Sequence, residues 1–180
     1  MLLKLYGITV LSVLLMVLWW SPVVYAGQPE ESRLKAVFVL NFAKLTEWPT
    51  DIRSDGNIFT IAIIGKAPSP TFINVLKGQT VHGASVSVRH VDNVRQAKGS
   101  QLLFISDSER QSLPVILKEV SLLPILTVSD MPGFSEAGGM IGLVPVQKRL
   151  GFEVNVAAAR KSRLSLSSQL LKLAKTIFGN

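Results

Sequence analysis

Two rhythms of apolar residues alternate along this chain, one helical in spacing and one made of short unbroken runs of strand length. From Glu30 to Trp48, residues Leu34, Val37, Phe38, Ala43, Leu45 and Trp48 recur at helical spacing, with Leu40 and Phe42 widening the apolar face. The spacing predicts an amphipathic helix lying on a core, ended by Pro49. A polar, turn-rich stretch from Asp51 to Asn57 follows, and then Phe59-Thr60-Ile61-Ala62-Ile63-Ile64 forms a strand-length run stopped by Gly65.

Pro68-Ser69-Pro70 leads to a short helical pattern at Phe72, Ile73, Val75 and Leu76, closed by Gly78. Val86 and Val88 alternate with Ser87 and Arg89 in a second strand, Val91 to Gln96 reads as a short helix, and Leu102-Leu103-Phe104-Ile105 is a fully apolar third strand. A helix over about Glu109 to Glu119, with Val115, Ile116 and Val120 turned inward, precedes a fourth strand at Ile125 to Val128. After Asp130, the residues Pro132, Gly133, Gly138 and Gly139 punctuate a loop, and Met140–Val144 and Phe152–Val156 read as an antiparallel hairpin. An Ala-rich turn at Ala157–Ala159 leads to a last helix, capped by Ser165 or Ser167, with Leu166, Leu170, Leu173, Ala174 and Ile177 on one face. The alternation predicts an α/β fold: a three-layer sandwich with a mostly parallel sheet, helices on both faces and an antiparallel C-terminal hairpin.

Ahead of these elements, Lys4, the apolar run Leu5–Trp20 and the small-residue site Val24-Tyr25-Ala26 have the three parts of a secretory signal cleaved after Ala26. The alternative is an uncleaved anchor, but the run is about 16 residues, short of the roughly 20 that span a bilayer, and Ser21-Pro22 breaks it. The expected organisation is therefore a signal peptide over residues 1–26 and a single domain over residues 27–180, working outside the cytoplasm. Losing Lys4 with the signal lowers the formal net charge from +7 to +6. The basic residues are scattered, and the densest group, Arg160, Lys161 and Arg163 with Lys148 and Arg149 upstream, has no interleaved aromatics. Nucleic acid is therefore not an expected partner. There is no cysteine, which removes disulfides, thiol nucleophiles and thiolate metal sites and leaves stability to packing.

The chemistry available is thin. Only His82 and His90 are present as bases, with no Gly-x-Ser-x-Gly elbow and no close run of carboxylates, so neither a hydrolytic triad nor a zinc or iron site is expected. The Gly133–Gly139 loop matches no phosphate-binding pattern and reads as shaping the start of a strand. Asp107 with Glu109, and Asp130 with Glu136, are explained by solvated loops. Glu153 with Arg149 or Lys148 reads as an exposed ion pair on the hairpin, worth well under about 1 kcal/mol. No cofactor, metal or catalytic residue is assigned. The first helix differs, because Phe38, Phe42 and Trp48 share it with Asn41 and Lys44. Core packing accounts for these rings first; any part of the face left exposed would suit a dimer or partner surface.

The stretch Ala36-Val37-Phe38-Val39-Leu40-Asn41-Phe42-Ala43-Lys44-Leu45-Thr46-Glu47-Trp48-Pro49 resembles the opening of YfiR-type periplasmic proteins. The resemblance continues through Gly65, Val81-His82-Gly83, Leu102–Ile105, Val128-Ser129-Asp130, Gly133-Phe134, Gly138-Gly139-Met140-Ile141, Phe152-Glu153-Val154-Asn155 and Ser167–Ala174, covering about Arg33 to Ile177. It implies an α/β sandwich, often a homodimer, and a non-enzymatic regulator that binds the periplasmic region of an inner-membrane diguanylate cyclase and represses it, lowering cyclic-di-GMP signalling and biofilm formation. An outer-membrane lipoprotein that releases repression is a further implied partner. The best-known members carry disulfides, so redox control by that route is excluded for this cysteine-free chain. The expected partner contacts are Asn41, Phe42, Lys44 and Trp48 on the first helix, Arg149 and Glu153 on the hairpin, and Leu170 and Leu173 on the last helix. The alternative is a periplasmic small-molecule-binding sensor domain, with a ligand at the carboxyl ends of the strands near Gly65-Lys66, Ser106-Asp107 and Ser129-Asp130.

Overall fold

A computed structural model describes residues 28–50, 57–147 and 149–179. The expected secretory signal, most of the turn-rich stretch after Pro49, and Lys148 lie outside the described residues. In chain order the elements are α1 (Gln28–Lys44), β1 (Thr46–Glu47), β2 (Ile58–Ile64), α2 (Pro70–Leu76), β3 (Thr80–Val81), β4 (Ala84–Val91), β5 (Leu102–Ile105), α3 (Leu113–Val120), β6 (Leu126–Ser129), β7 (Ile141–Val146), β8 (Arg149–Asn155), α4 (Val156–Lys161), β9 (Ser165–Leu166), α5 (Ser168–Leu173) and β10 (Thr176–Phe178). Single 3₁₀ turns lie at Val94–Ala97 and Asp107–Glu109.

One eight-stranded sheet runs in the order β10-β8-β7-β6-β5-β2-β4-β3. Strands β4, β2, β5, β6 and β7 are mutually parallel, while β7 and β8 form the expected antiparallel hairpin. The central strands are apolar throughout because both faces are covered, and every residue of β5 and β6 is buried. On one face Phe59, Ile61, Ile63, Phe104 and Val128 meet α1, α2 and α5. On the other, Ala62, Ile64, Leu103 and Ile105 meet α3 together with Met131 and Phe134 from the loop after β6. The α/β fold, the mostly parallel sheet and the helices on both faces therefore follow the expectation.

Helix α1 has Glu30 and Glu31 in its first turn and Lys44 in its last, matching the helix dipole. It buries Ala36, Val39, Leu40, Phe42 and Ala43. It ends at Lys44, ahead of the expected stop at Pro49. Thr46 Oγ1 donates to the Phe42 carbonyl at 2.7 Å, and the chain turns extended so that Thr46 and Glu47 pair with Leu166 and Ser165. Trp48 then leaves the helix altogether.

Three other expectations change. Val115 is 62% exposed while Ile116 and Val120 are buried, since α3 begins only at Leu113, with Pro114 in its first turn. The expected Ala-rich turn is helix α4, capped by the Asn155 side chain accepting from the Ala158 amide at 2.9 Å. The expected last helix is three elements. Leu166 lies in β9, Leu170 and Leu173 in α5, and Ile177 in β10, which runs parallel to β8. Ser167 is the cap of α5, accepting from the Leu170 amide at 3.2 Å.

Lys35 ties the layers together. Its ammonium lies 2.8 Å from Asp130 at the end of β6 and 2.8 Å from Glu31 one turn back on α1. Burial opposes the ammonium, but the hydrogen bonds to Asp130 and Glu31 outweigh it and raise the pKa above the ordinary lysine value. A raised folded pKa stabilises fully below the unfolded lysine value of about 10.4 and is lost as pH climbs through the folded one. Lys35→Met should cost about 1–2 kcal/mol at pH 7, and should flatten this part of the loss of stability above about pH 10. Thermal melts at neutral and alkaline pH check it; identical curves for both proteins would show that the pair contributes nothing.

Candidate partner surface

The outward stripe of α1 carries Leu34, Val37, Asn41 and Lys44, spaced so that they share one face. Leu34 is 40% and Val37 38% exposed, and Asn41 and Lys44 are exposed beside them. The apolar pattern alone assigns Leu34 and Val37 to the core. The competing stripe Ala36, Val39, Leu40 and Ala43, whose two alanines allow close approach to the sheet, was the available signal.

Phe42 points the other way. It is 1% exposed and its ring lies 4.9 Å from Phe152 and 5.8 Å from Phe38, so it is a core residue rather than a surface contact. Trp48 is half-buried, with its indole N–H donating to the Gln101 carbonyl at 3.2 Å and its ring edge-on to Phe59 at 5.2 Å. Its polar end is thus used within the fold. Leu170 is buried in the same core as Phe42, whereas Leu173 is exposed. Helix α5 starts beside the end of α1, because the Ser167 amide donates to the Leu45 carbonyl at 3.0 Å.

Arg149 and Glu153 do not meet. They stand four residues apart on β8, roughly 13 Å along a strand. Arg149 is exposed opposite Val146 near the hairpin turn. Glu153 is approached by Lys175 at 3.8 Å and accepts from Thr176 Oγ1 at 3.3 Å. Glu153 is thus engaged with the C-terminal edge and not with Arg149, while Lys148, the other partner expected for it, lies outside the described residues.

The strand-end crevice is closed. The chain crosses the sheet on opposite faces after β2 and β5, which places the usual α/β ligand crevice between their carboxyl ends. There Gly65, at φ +87°, sits so close to the Asp107–Glu109 turn that a Cβ would lie 2.5 Å from Ser108 Oγ and 2.7 Å from Glu109 Cγ. Ser108 Oγ also accepts from the Lys66 amide at 2.8 Å. Asp107 pairs with Arg110, and Ser129 Oγ donates to the Ile105 carbonyl at 2.7 Å. Asp130 is held by Lys35 at 2.8 Å. Asp107, Ser129 and Asp130, three of the residues named for a strand-end ligand, are thus engaged with other groups of the protein.

Both histidines bond carbonyl oxygens through Nε2, His82 to Thr46 at 2.9 Å and His90 to Gly65 at 2.6 Å. Among the described residues, no group of three or more His, Asp or Glu side chains is arranged to hold a metal ion. The Gly133–Gly139 loop is built for packing. Phe134 is buried against the position where a Gly139 side chain would stand, and Ser135 Oγ donates to the Glu153 carbonyl at 3.1 Å.

These features define an α/β fold with helices on both faces of its sheet. The chain belongs to the YfiR/HmsC-like family (DUF4154), whose model matches residues 32–175. That family is periplasmic and regulatory rather than catalytic. No curated protein matches the chain. No helix among the described residues is long and apolar enough to cross a membrane.

Proposed function

We propose that the chain is exported, loses residues 1–26, and acts in the periplasm as a non-enzymatic repressor of an inner-membrane diguanylate cyclase. It binds the periplasmic region of the cyclase and so lowers cyclic-di-GMP signalling and biofilm formation. An outer-membrane lipoprotein that relieves repression and a homodimeric state belong to the same proposal. The observation that carries it is the family match across residues 32–175.

The contact is assigned to the α1 stripe of Leu34, Val37, Asn41 and Lys44, with Leu173 of α5 in the same layer. Apolar side chains left at the surface of a packed helix, flanked by polar ones, suit a protein partner. Leu34→Asp with Val37→Asp should leave the melting temperature within roughly 2 °C of the parent, because both side chains already meet water. The same variant should lose capture of the cyclase from solubilised envelope and raise cyclic-di-GMP to the level of a deletion strain. A folded variant that still captures and represses would place the contact elsewhere. No captured cyclase and no change of cyclic-di-GMP in the deletion would refute the repressor reading itself.

A further inference from the structure

A cleft of about 440 Å³ opens between α3 and α4, where Leu117 and Val120 of the α3 side meet Met140 and Ala158, which pack with the α1 side. Its volume falls within the roughly 300–1,000 Å³ of small-molecule sites. Leu117, Val120, Met140 and Ala158 give it apolar walls. Its uncharged polar side chains are already engaged. Thr127 Oγ1 accepts from the Met140 amide at 3.0 Å, and Ser162 Oγ donates to the Ser121 carbonyl at 3.1 Å. Asn155 accepts from the Ala158 amide and donates to the Ser135 carbonyl, each at 2.9 Å. The charged groups in the lining are Lys118 and Lys161, one on each helix, both exposed, and no carboxylate lines the cleft with them.

We infer that this cleft binds a small amphiphilic anion, an apolar body capped by a carboxylate or phosphate. The body lies against the apolar walls, and the head takes charge-assisted hydrogen bonds from the two ammonium groups across the mouth. A neutral chain of the same length leaves those ammonium groups unrewarded, and a cationic one is repelled by them. The inference stands on the cleft alone and is independent of the cyclase partner.

The test is calorimetric titration of residues 27–180 with monomeric dodecanoate, alongside dodecyl phosphate, dodecanol and dodecyltrimethylammonium. Saturable one-to-one binding of the two anions is expected, with the alcohol and the cation roughly tenfold weaker or more. Lys118→Glu with Lys161→Glu should weaken the anions by roughly tenfold or more at an unchanged melting temperature, since both side chains are exposed. Ser121→Trp, which keeps the carbonyl that Ser162 uses, should block the mouth and abolish binding. Failure of either anion to bind, equal binding of the cation, or indifference to the lysine reversal would overturn the assignment. So would retention on anionic vesicles without binding of the monomeric anions, since that reads a charged surface and not an enclosed chain.

Discussion

Replacing Phe42 by alanine should lower the unfolding free energy by about 3–5 kcal/mol, a large share of the roughly 5–15 kcal/mol that holds a domain folded. The ring is 1% exposed and is the middle member of an aromatic group, with Phe152 at 4.9 Å and Phe38 at 5.8 Å. Phe38 and Phe152 also meet edge to face, at 5.9 Å, so the two remaining rings hold each other in place and cannot simply collapse into the space left behind. The melting temperature should fall by roughly 10 °C or more. Asn41→Ala, one residue earlier and exposed, should change stability by less than about 0.5 kcal/mol. Comparable melting of both variants would show that α1 is rotated relative to this description. A paired Phe42→Ala and Trp48→Ala substitution is therefore expected to destabilise the core, and its effect on partner binding would not report on the surface.

Gly139→Ala should be nearly as damaging, at about 2–3 kcal/mol, although it adds a single methyl group. A Cβ at that position would lie 2.1 Å from Phe134 Cε1 and 2.3 Å from Cζ. The ring has little room to retreat, being 1% exposed and packed with Met131, Leu103 and Ile105 under α3. The cause is testable by a double-mutant cycle with Phe134→Leu, which shortens the obstructing side chain. The alanine should cost markedly less in the leucine background. Equal costs in both backgrounds would place the damage in the backbone of the loop instead of against the ring.

The strands β2, β5 and β6 were readable because each is a continuous apolar run bounded by turn residues, and burial on both faces demands that composition. Boundaries set by distant partners were not. Leu45-Thr46-Glu47-Trp48 continues the helical rhythm of α1, yet the helix stops at Lys44 because Thr46 and Glu47 find Leu166 and Ser165 far along the chain. The same pairing splits the apparent C-terminal helix, whose leucines keep a helical spacing while belonging to β9 and α5 and whose Ile177 belongs to β10. The candidate contacts divide for a related reason. Asn41, Lys44, Arg149 and Leu173 are exposed, but Phe42 and Leu170 have the same apolar character as surface anchors and are claimed by the core. The cleft between α3 and α4 was invisible in the sequence, since its lining comes from α3, β6, the loop before β7, and the segment around α4.

The clip formed by β1 and β9 is among the contacts the chain can make only late in its synthesis. It joins the first helix to a segment near the chain's end, and Phe152 completes the ring cluster begun by Phe38 and Phe42. Contacts so remote in sequence must overcome a loop-closure entropy before they return any stability, which raises contact order and slows folding. A chain emerging from its N-terminus can cover much of the inner face of α1 with β2 and α2, but the Phe38 and Phe42 rings lack Phe152 until residues near 150 arrive. That aromatic corner is therefore the last part of the core to close, and in a polypeptide threaded across a membrane as proposed it closes only when translocation is nearly finished.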